Sequence, residues 1–169
     1  MHLTIREVQP DDAAAVVAIF NPIIETGLHT VFDTPLTIEA ERAYIESFPA
    51  RGVFLVAVGK SREEREEIVG FQSTEPFAAY THAFDHVGVL GTYVPPQHRR
   101  HGVARALFAQ SFQEARRKGY EKIFTFVRAD NPAALATYLS QGFTTIGTAR
   151  SQAKIRGRYI DEILIEKFL

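Results

Sequence analysis

No cysteine occurs in the 169 residues, which excludes disulfides, zinc–thiolate sites and a cysteine nucleophile. An excess of charge is missing too. Lys and Arg number 19 against 20 Asp and Glu, for a net charge of -1, so nothing marks the chain for nucleic acid or an anionic membrane. No apolar run approaches the roughly 20 residues that cross a bilayer. Met1 to Pro10 lacks a signal-peptide pattern, and a cytoplasmic location is expected. There is no internal repeat, no low-complexity tract and no Pro/Gly/Ser linker, so one domain is expected over residues 1–169. A further absence is local: no Lys or Arg lies between Arg65 and Arg99.

What is present is an ordinary globular composition, 46% hydrophobic and 23% charged, organised around Val87 to Lys118. Val87 to Val94 is rich in β-branched and aromatic residues and reads as a strand. Pro95-Pro96 stops it, since proline has no N–H for a sheet ladder. A basic turn, Gln97 to His101, leads to Gly102, which opens a helix. Its expected buried face is Ala104, Leu107, Phe108, Ser111, Phe112 and Ala115, at helical spacing. Arg116, Arg117 and Lys118 suit the negative helix terminus and Gly119 its left-handed cap. Free N–H groups at the helix start beside arginines form an anion site, suited to a pyrophosphate.

Taken in order, Leu3 to Val8 reads as a strand, and Pro10-Asp11-Asp12 starts a helix, with an aspartate as its cap, whose apolar face is Ala13, Val16, Val17 and Phe20. Pro22 is expected to interrupt that helix, leaving Ile23 to Gly27 as a second short piece. His29 to Pro35 is a loop with Val31 and Phe32 as pocket walls. Thr37 caps a helix over Ile38 to Phe48, with Glu39, Glu41 and Arg42 expected on its wet side. Val53 to Val58 is a buried strand, and the charged stretch Gly59 to Glu67 a solvated hairpin loop. Ile68 to Thr74 is a strand, and Glu75 to His86 a long aromatic connection that could form a lid. Lys122 to Val127 is the next strand. Asn131-Pro132 opens a short helix closed by Gly142. Two final strands, Phe143 to Ala149 and Tyr159 to Phe168, are joined by a basic segment carrying Arg150, Lys154, Arg156 and Arg158. The alternation predicts an α/β (α+β) fold with one sheet.

Arg99 to Ala104 fits R-x-x-G-x-A, and Asn131 to Phe143 reads N-x-x-A-x-x-x-Y-x-x-x-G-F. Together, each behind a strand, they resemble the GCN5-related N-acetyltransferase superfamily over nearly the whole chain. The runs Asn21 to Thr26, Phe32 to Pro35 and Gly157 to Asp161 are similar to its phosphinothricin and methionine-sulfoximine acetyltransferase branch. The resemblance implies a central mixed, mostly antiparallel sheet whose parallel middle strands, Val87 to Val94 and Lys122 to Val127, splay around acetyl-CoA as cosubstrate, with no metal. The implied cosubstrate contacts are Thr92, Tyr93, Val94, Arg99, Arg100, His101, Gly102, Val103, Ala104, Arg105 and Asn131, with Tyr138 near the thioester sulfur as general acid. A homodimer is expected.

Acyl transfer to an amine needs a base, because a free alkyl amine has a pKa of about 10. The related branch keeps a glutamate where this chain has Val89. His86, Glu75 and Asp85 are the nearby candidates, with a water relay as the alternative. The acidic and aromatic stretch before Val87 favours a cationic acceptor over one held by its carboxylate. The expected activity is N-acetylation of a small-molecule amine. Acetylation of a protein or peptide amine and non-catalytic acyl-CoA sensing are the alternatives.

Overall fold

The computed structural model describes residues 2–60 and 66–169; the middle of the charged stretch expected as a hairpin loop falls outside them. Strands β1 (Leu3–Glu7), β2 (Val53–Lys60), β3 (Glu66–Pro76), β4 (Val87–Tyr93), β5 (Lys122–Arg128), β6 (Thr144–Ile155) and β7 (Arg158–Phe168) form one sheet in the order β1-β2-β3-β4-β5-β7-β6. Only β4 and β5 pair in parallel; the other neighbours are antiparallel. The helices are α1 (Ala13–Thr26), α2 (Ile38–Glu46), α3 (Val103–Arg117) and α4 (Pro132–Ser140).

Both faces of β2 are covered, which explains its unbroken apolar run. Phe54, Val56 and Val58 pack against α1 and α2. Val53, Leu55 and Ala57 pack against Val103 and Leu107 of α3 on the opposite face. A third cluster joins α3 and α4 to β5 through Phe108, Ile123, Val127, Tyr138 and Phe143. Val103 is buried where the sequence pattern pointed to Ala104, which is only partly covered. Gly70 is required where β3 passes under the end of β4: a Cβ there would lie 2.9 Å from Val103 Cγ1 and 3.1 Å from the Tyr93 carbonyl oxygen.

Three local expectations are corrected. Helix α1 runs unbroken through Pro22 to Thr26. Proline forfeits one backbone hydrogen bond there, but Ile23 and Ile24 are buried in the core, and the Asn21 amide bonds both the N–H and the carbonyl of Leu36 at 2.9 Å. Asp12 does not cap α1 with its side chain; it accepts from the Gln9 N–H at 2.7 Å and pairs with Arg6. Arg150 and Lys154 belong to β6, not to a loop. The β6–β7 connection is the tight turn at Arg156-Gly157, with φ of 50° and 80°, the hairpin geometry that follows sheet twist.

One buried cation fixes the loop after α1. Arg128, 5% exposed, bonds both oxygens of Asp130 at 2.8 and 2.7 Å and donates to the carbonyls of Gly27 and Thr30 at 2.8 and 2.9 Å. The hydrogen bond from Arg128 holds the Asp130 carboxyl below its ordinary range. Stability from a depressed carboxylate is present above its unfolded pKa and lost as pH falls through its folded one. Asp130→Asn is therefore expected to destabilise by roughly 1 kcal/mol at pH 7, a modest figure because Asp130 is 42% exposed and screened. In urea unfolding the difference from wild type should close below about pH 4. A gap of equal size at pH 3 would rule out the ionised pair as its source.

Candidate active site

Parallel pairing between β4 and β5 lasts only from Val87↔Lys122 to Val89↔Phe124. Beyond that point the strands part. Each stays fixed on its outer edge, β4 to β3 as far as Phe71↔Tyr93 and β5 to β7 as far as Arg128↔Glu162. Where they separate, the Thr125 hydroxyl donates to the Leu90 carbonyl at 2.7 Å. Leu90's main chain thus faces the gap, and strand alternation turns the Thr92 amide the same way. Tyr93's main chain is directed instead toward its β3 partner Phe71. The gap opens into a cavity of about 710 Å³ reaching both faces of the sheet.

On the α3/α4 face stands Tyr138, 8% exposed. Asn131 caps α4 by accepting from the Ala134 N–H at 3.2 Å, and the helix ends at Gly142, with φ of 85°. Phe108 and Phe143 clamp the Tyr138 ring edge-on, at centroid distances of 5.3 and 5.2 Å. Its hydroxyl donates to the Thr92 hydroxyl at 3.3 Å, and Thr92 also accepts from the Gln72 amide at 2.7 Å. Burial raises the Tyr138 pKa, keeping the phenol protonated.

On the α1/α2 face the cavity wall includes Phe71, Ser73, Glu75, Val89, Gly91 and Tyr93. Glu75 is in direct register with Val89, so their side chains share a face. Val89, where the related branch keeps a glutamate, thus has a carboxylate beside it on β3. The Tyr44 hydroxyl of α2 donates to Glu75 Oε1. His86 does not reach this cavity: it is exposed at the far end of β4, where its carbonyl accepts from the Glu121 and Lys122 N–H groups. Asp85 pairs with Arg51 and with His82. Of the long aromatic connection, only Glu75, Pro76 and Phe77 line the cavity; Tyr80 and Phe84 stack behind Phe77.

Two cavity carboxylates were not identified from the sequence. Glu41, assigned to the wet side of α2, is 5% exposed and faces the cavity. Its position one turn before Ile45 and three residues before Tyr44 was the available signal. Glu162, 4% exposed, lies across from Arg128 and between the apolar Ile160 and Leu164 in the β7 alternation. Burial raises the pKa of both, offset for Glu162 by Arg128.

Beyond the gap, Arg99, Arg100, His101, Gly102 and Arg105 are exposed on the turn into α3, and Val103 is buried beneath them. Gly102, at φ 82°, takes the left-handed conformation open to glycine, and a Cβ there would meet nothing within 4 Å. Arg100 is left-handed as well, at φ 64°. The Arg99 Nε–H donates to the Val94 carbonyl at 3.0 Å, fixing the turn to the end of β4. The first intrahelical acceptor is Gly102, bonded by the Ala106 N–H at 3.0 Å, which leaves the preceding amides of the first turn free of helix partners. The turn thus brings exposed cationic side chains and amides without helix partners together, the combination that suits an anion.

Known proteins resemble this chain in sequence and fold. The phosphinothricin N-acetyltransferase of Streptomyces coelicolor is 25% identical over 153 residues, 86% of this chain and 88% of that one. The crystal structure of a ribosomal-protein-alanine N-acetyltransferase from Brucella melitensis is 30% identical, with a TM-score of 0.87 over 98% of this chain and 99% of that one. A phosphinothricin acetyltransferase from Sinorhizobium meliloti in complex with AcCoA, 18% identical, has the same fold, with a TM-score of 0.88 over 100% and 89% of the two chains. Residues 24–143 match the family described as Acetyltransferase (GNAT) family. That stretch holds the parting strands, the anion turn and the Tyr138 helix, and the chain belongs to the GNAT acetyltransferase family.

Proposed function

We propose that the protein transfers the acetyl group of acetyl-CoA to the primary amine of a small molecule by direct attack within a ternary complex. The observation that carries this reading is the register of Glu75 with Val89 at the point where β4 and β5 part. It sets a carboxylate on one face of the gap and a protonated phenol, Tyr138, on the other. Acetyl-CoA fits the residues present: a strand edge with free main-chain groups for its pantetheine arm, and a cationic helix start for its pyrophosphate. When bound, it supplies an activated thioester.

The protein's own groups divide the remaining work. Glu75, held by Tyr44, takes the proton that makes the amine nucleophilic. The Thr92 amide polarises the carbonyl oxygen. As the new C–N bond forms and the C–S bond breaks, Tyr138 gives its proton to the leaving sulfur. The Thr92 hydroxyl, fixed by Gln72, then turns to donate to the phenolate. Arg99, Arg100 and Arg105 with the amides at the start of α3 hold the pyrophosphate.

Similarity to the Brucella melitensis protein supports a second reading, with a peptide α-amine as acceptor. A screen for acetyl-CoA-dependent thiol release over amino acids, polyamines, aminoglycosides and alanine-starting peptides separates the two, and silence with every amine would refute acetyl transfer. Glu75→Gln is expected to lower kcat by about 100-fold; a variant with wild-type turnover would remove Glu75 as the base. Tyr138→Phe should lower turnover more than coenzyme A affinity, and equal turnover would make the tyrosine structural. In calorimetry, Arg99→Ala with Arg100→Ala is expected to weaken coenzyme A binding by roughly 1.5–3 kcal/mol per lost charged hydrogen bond. Unchanged affinity would reject the pyrophosphate assignment.

A further inference from the structure

Glu41 is the carboxylate that the reaction above leaves unused. It is 5% exposed, yet it borders the cavity. Among the described residues it has neither a side-chain hydrogen bond nor an ion pair, and burial is the cause that acts on its pKa. It sits three residues before Tyr44, whose hydroxyl donates to Glu75, and the charges of Glu41 and Glu75 both act on that phenol. A third, Glu162, is 4% exposed and leaves Oε1 without a partner.

Arg128 acts on Glu162, but among the described residues no cation in the cavity wall is free to balance Glu41. The guanidinium of Arg128 is spent on Asp130 and on the carbonyls of Gly27 and Thr30. Arg42, next to Glu41 in sequence, points the other way and pairs with Asp11 at 2.7 Å. His29 is held toward its neutral form by burial and by Arg99 and Arg128. Phe20, Leu36, Phe54 and Phe71 give the α1/α2 wall a hydrocarbon surface beside the neutral hydroxyl residues Ser73 and Tyr93. A fitting ligand carries positive charge at more than one point and methylene groups between. A ligand carboxylate would meet like charge and find no free partner.

We propose that the acceptor is an aliphatic diamine or polyamine, with its non-reacting ammonium held by the Glu41 carboxylate and its reacting amine at Glu75. This rests on the acetyl-transfer reading and adds a charge requirement that the reading does not contain. The Glu41 ion pair would fix the far end of the acceptor, while the aromatic wall covers its methylene chain.

The test uses 1,4-diaminobutane, butylamine of equal chain length, and methionine as the carboxylate-bearing comparison. Calorimetry on the full chain saturated with coenzyme A is expected to give a Kd for the diamine at least about tenfold below that for butylamine, the worth of one charge-assisted hydrogen bond. Glu41→Gln should reduce that ratio to near one, and in thiol-release assays it should raise KM for the diamine more than it lowers kcat. Equal binding of diamine and monoamine by wild type, or tighter binding of methionine, overturns the inference without recourse to a variant. So does a Glu41→Gln protein that binds coenzyme A normally and keeps the diamine preference. Thiol release with monoamines or amino acids but no diamine preference refutes this inference alone. Absence of release with every amine refutes the acetyl-transfer reading itself.

Discussion

The parting of β4 from β5 is the constraint on which the rest of the structure depends. A buried backbone N–H or carbonyl without a partner costs about 1–3 kcal/mol, so two central strands do not separate unless something else holds them. Here each is held from outside, β4 by β3 and β5 by β7, along almost its full length. The Thr125 hydroxyl spans the gap at its apex by bonding the Leu90 carbonyl. What remains is a strand edge inside the protein, sheltered from other chains yet open to a ligand that can act as a strand. Packing at the lower end reinforces this: the Gly70 backbone lies so close to Val103 and Tyr93 that the end of β4 and the start of α3 form one unit. The basic turn is therefore fixed relative to the gap.

The same parting gives side chains from both faces of the sheet access to one space. In a continuous sheet, Tyr138 and Glu75 would be divided by a layer of backbone. Strand alternation sends Thr92 toward Tyr138, and Val89 with its neighbour Glu75 toward α2. In the proposed reaction, a proton acceptor and a proton donor then approach opposite sides of one reacting group without quenching each other. Register explains why Val89 does not empty the site of its carboxylate. A cross-strand neighbour on the same face has its Cβ about 5 Å away, so a glutamate on β3 reaches much the same volume as one on β4.

Signals carried by backbone geometry were legible in the sequence, because few residues satisfy them. Gly102 at a left-handed φ, Asn131 as a cap and Gly142 as a helix stop all stand where their residue types require. The helix after the basic turn and the short helix after β5 followed from them, and the α/β class from the alternation of strands and helices; the splay of β4 from β5 came only with the resemblance to the acetyltransferase superfamily. Signals that depend on long-range packing were less legible. Pro22 carries a local breaker signal, and the burial of Ile23 and Ile24 overrides it. Glu41 looked solvated because charge usually marks a wet face; its spacing from Tyr44 and Ile45 pointed inward. Arg150 and Lys154 looked like loop residues, yet they stand on an outer strand whose residues are largely exposed. His86 and Glu75 bracket the same connection in sequence, and only the pairing of β3 with β4 brings Glu75 alone to the gap.

Charge in the cavity follows from how its single buried guanidinium is used. Arg128 is far from Gly27 and Thr30 in sequence and ties that loop to the end of β5 by direct hydrogen bonds. A buried arginine needs a counterion, and Asp130, two residues on, supplies it within the same element end. The pair is close to neutral as a unit, so beyond its effect on Glu162 Arg128 organises the wall more than it sets its sign. Glu41, Glu75 and Glu162 then determine the field that an incoming molecule meets, and in a low-dielectric cavity such a field acts strongly. An ammonium entering there relieves the cost of burying Glu41 while losing its own hydration, whereas an anion adds to both. In the diamine reading, acceptor choice depends on which charges the fold neutralises internally and which it leaves for the ligand.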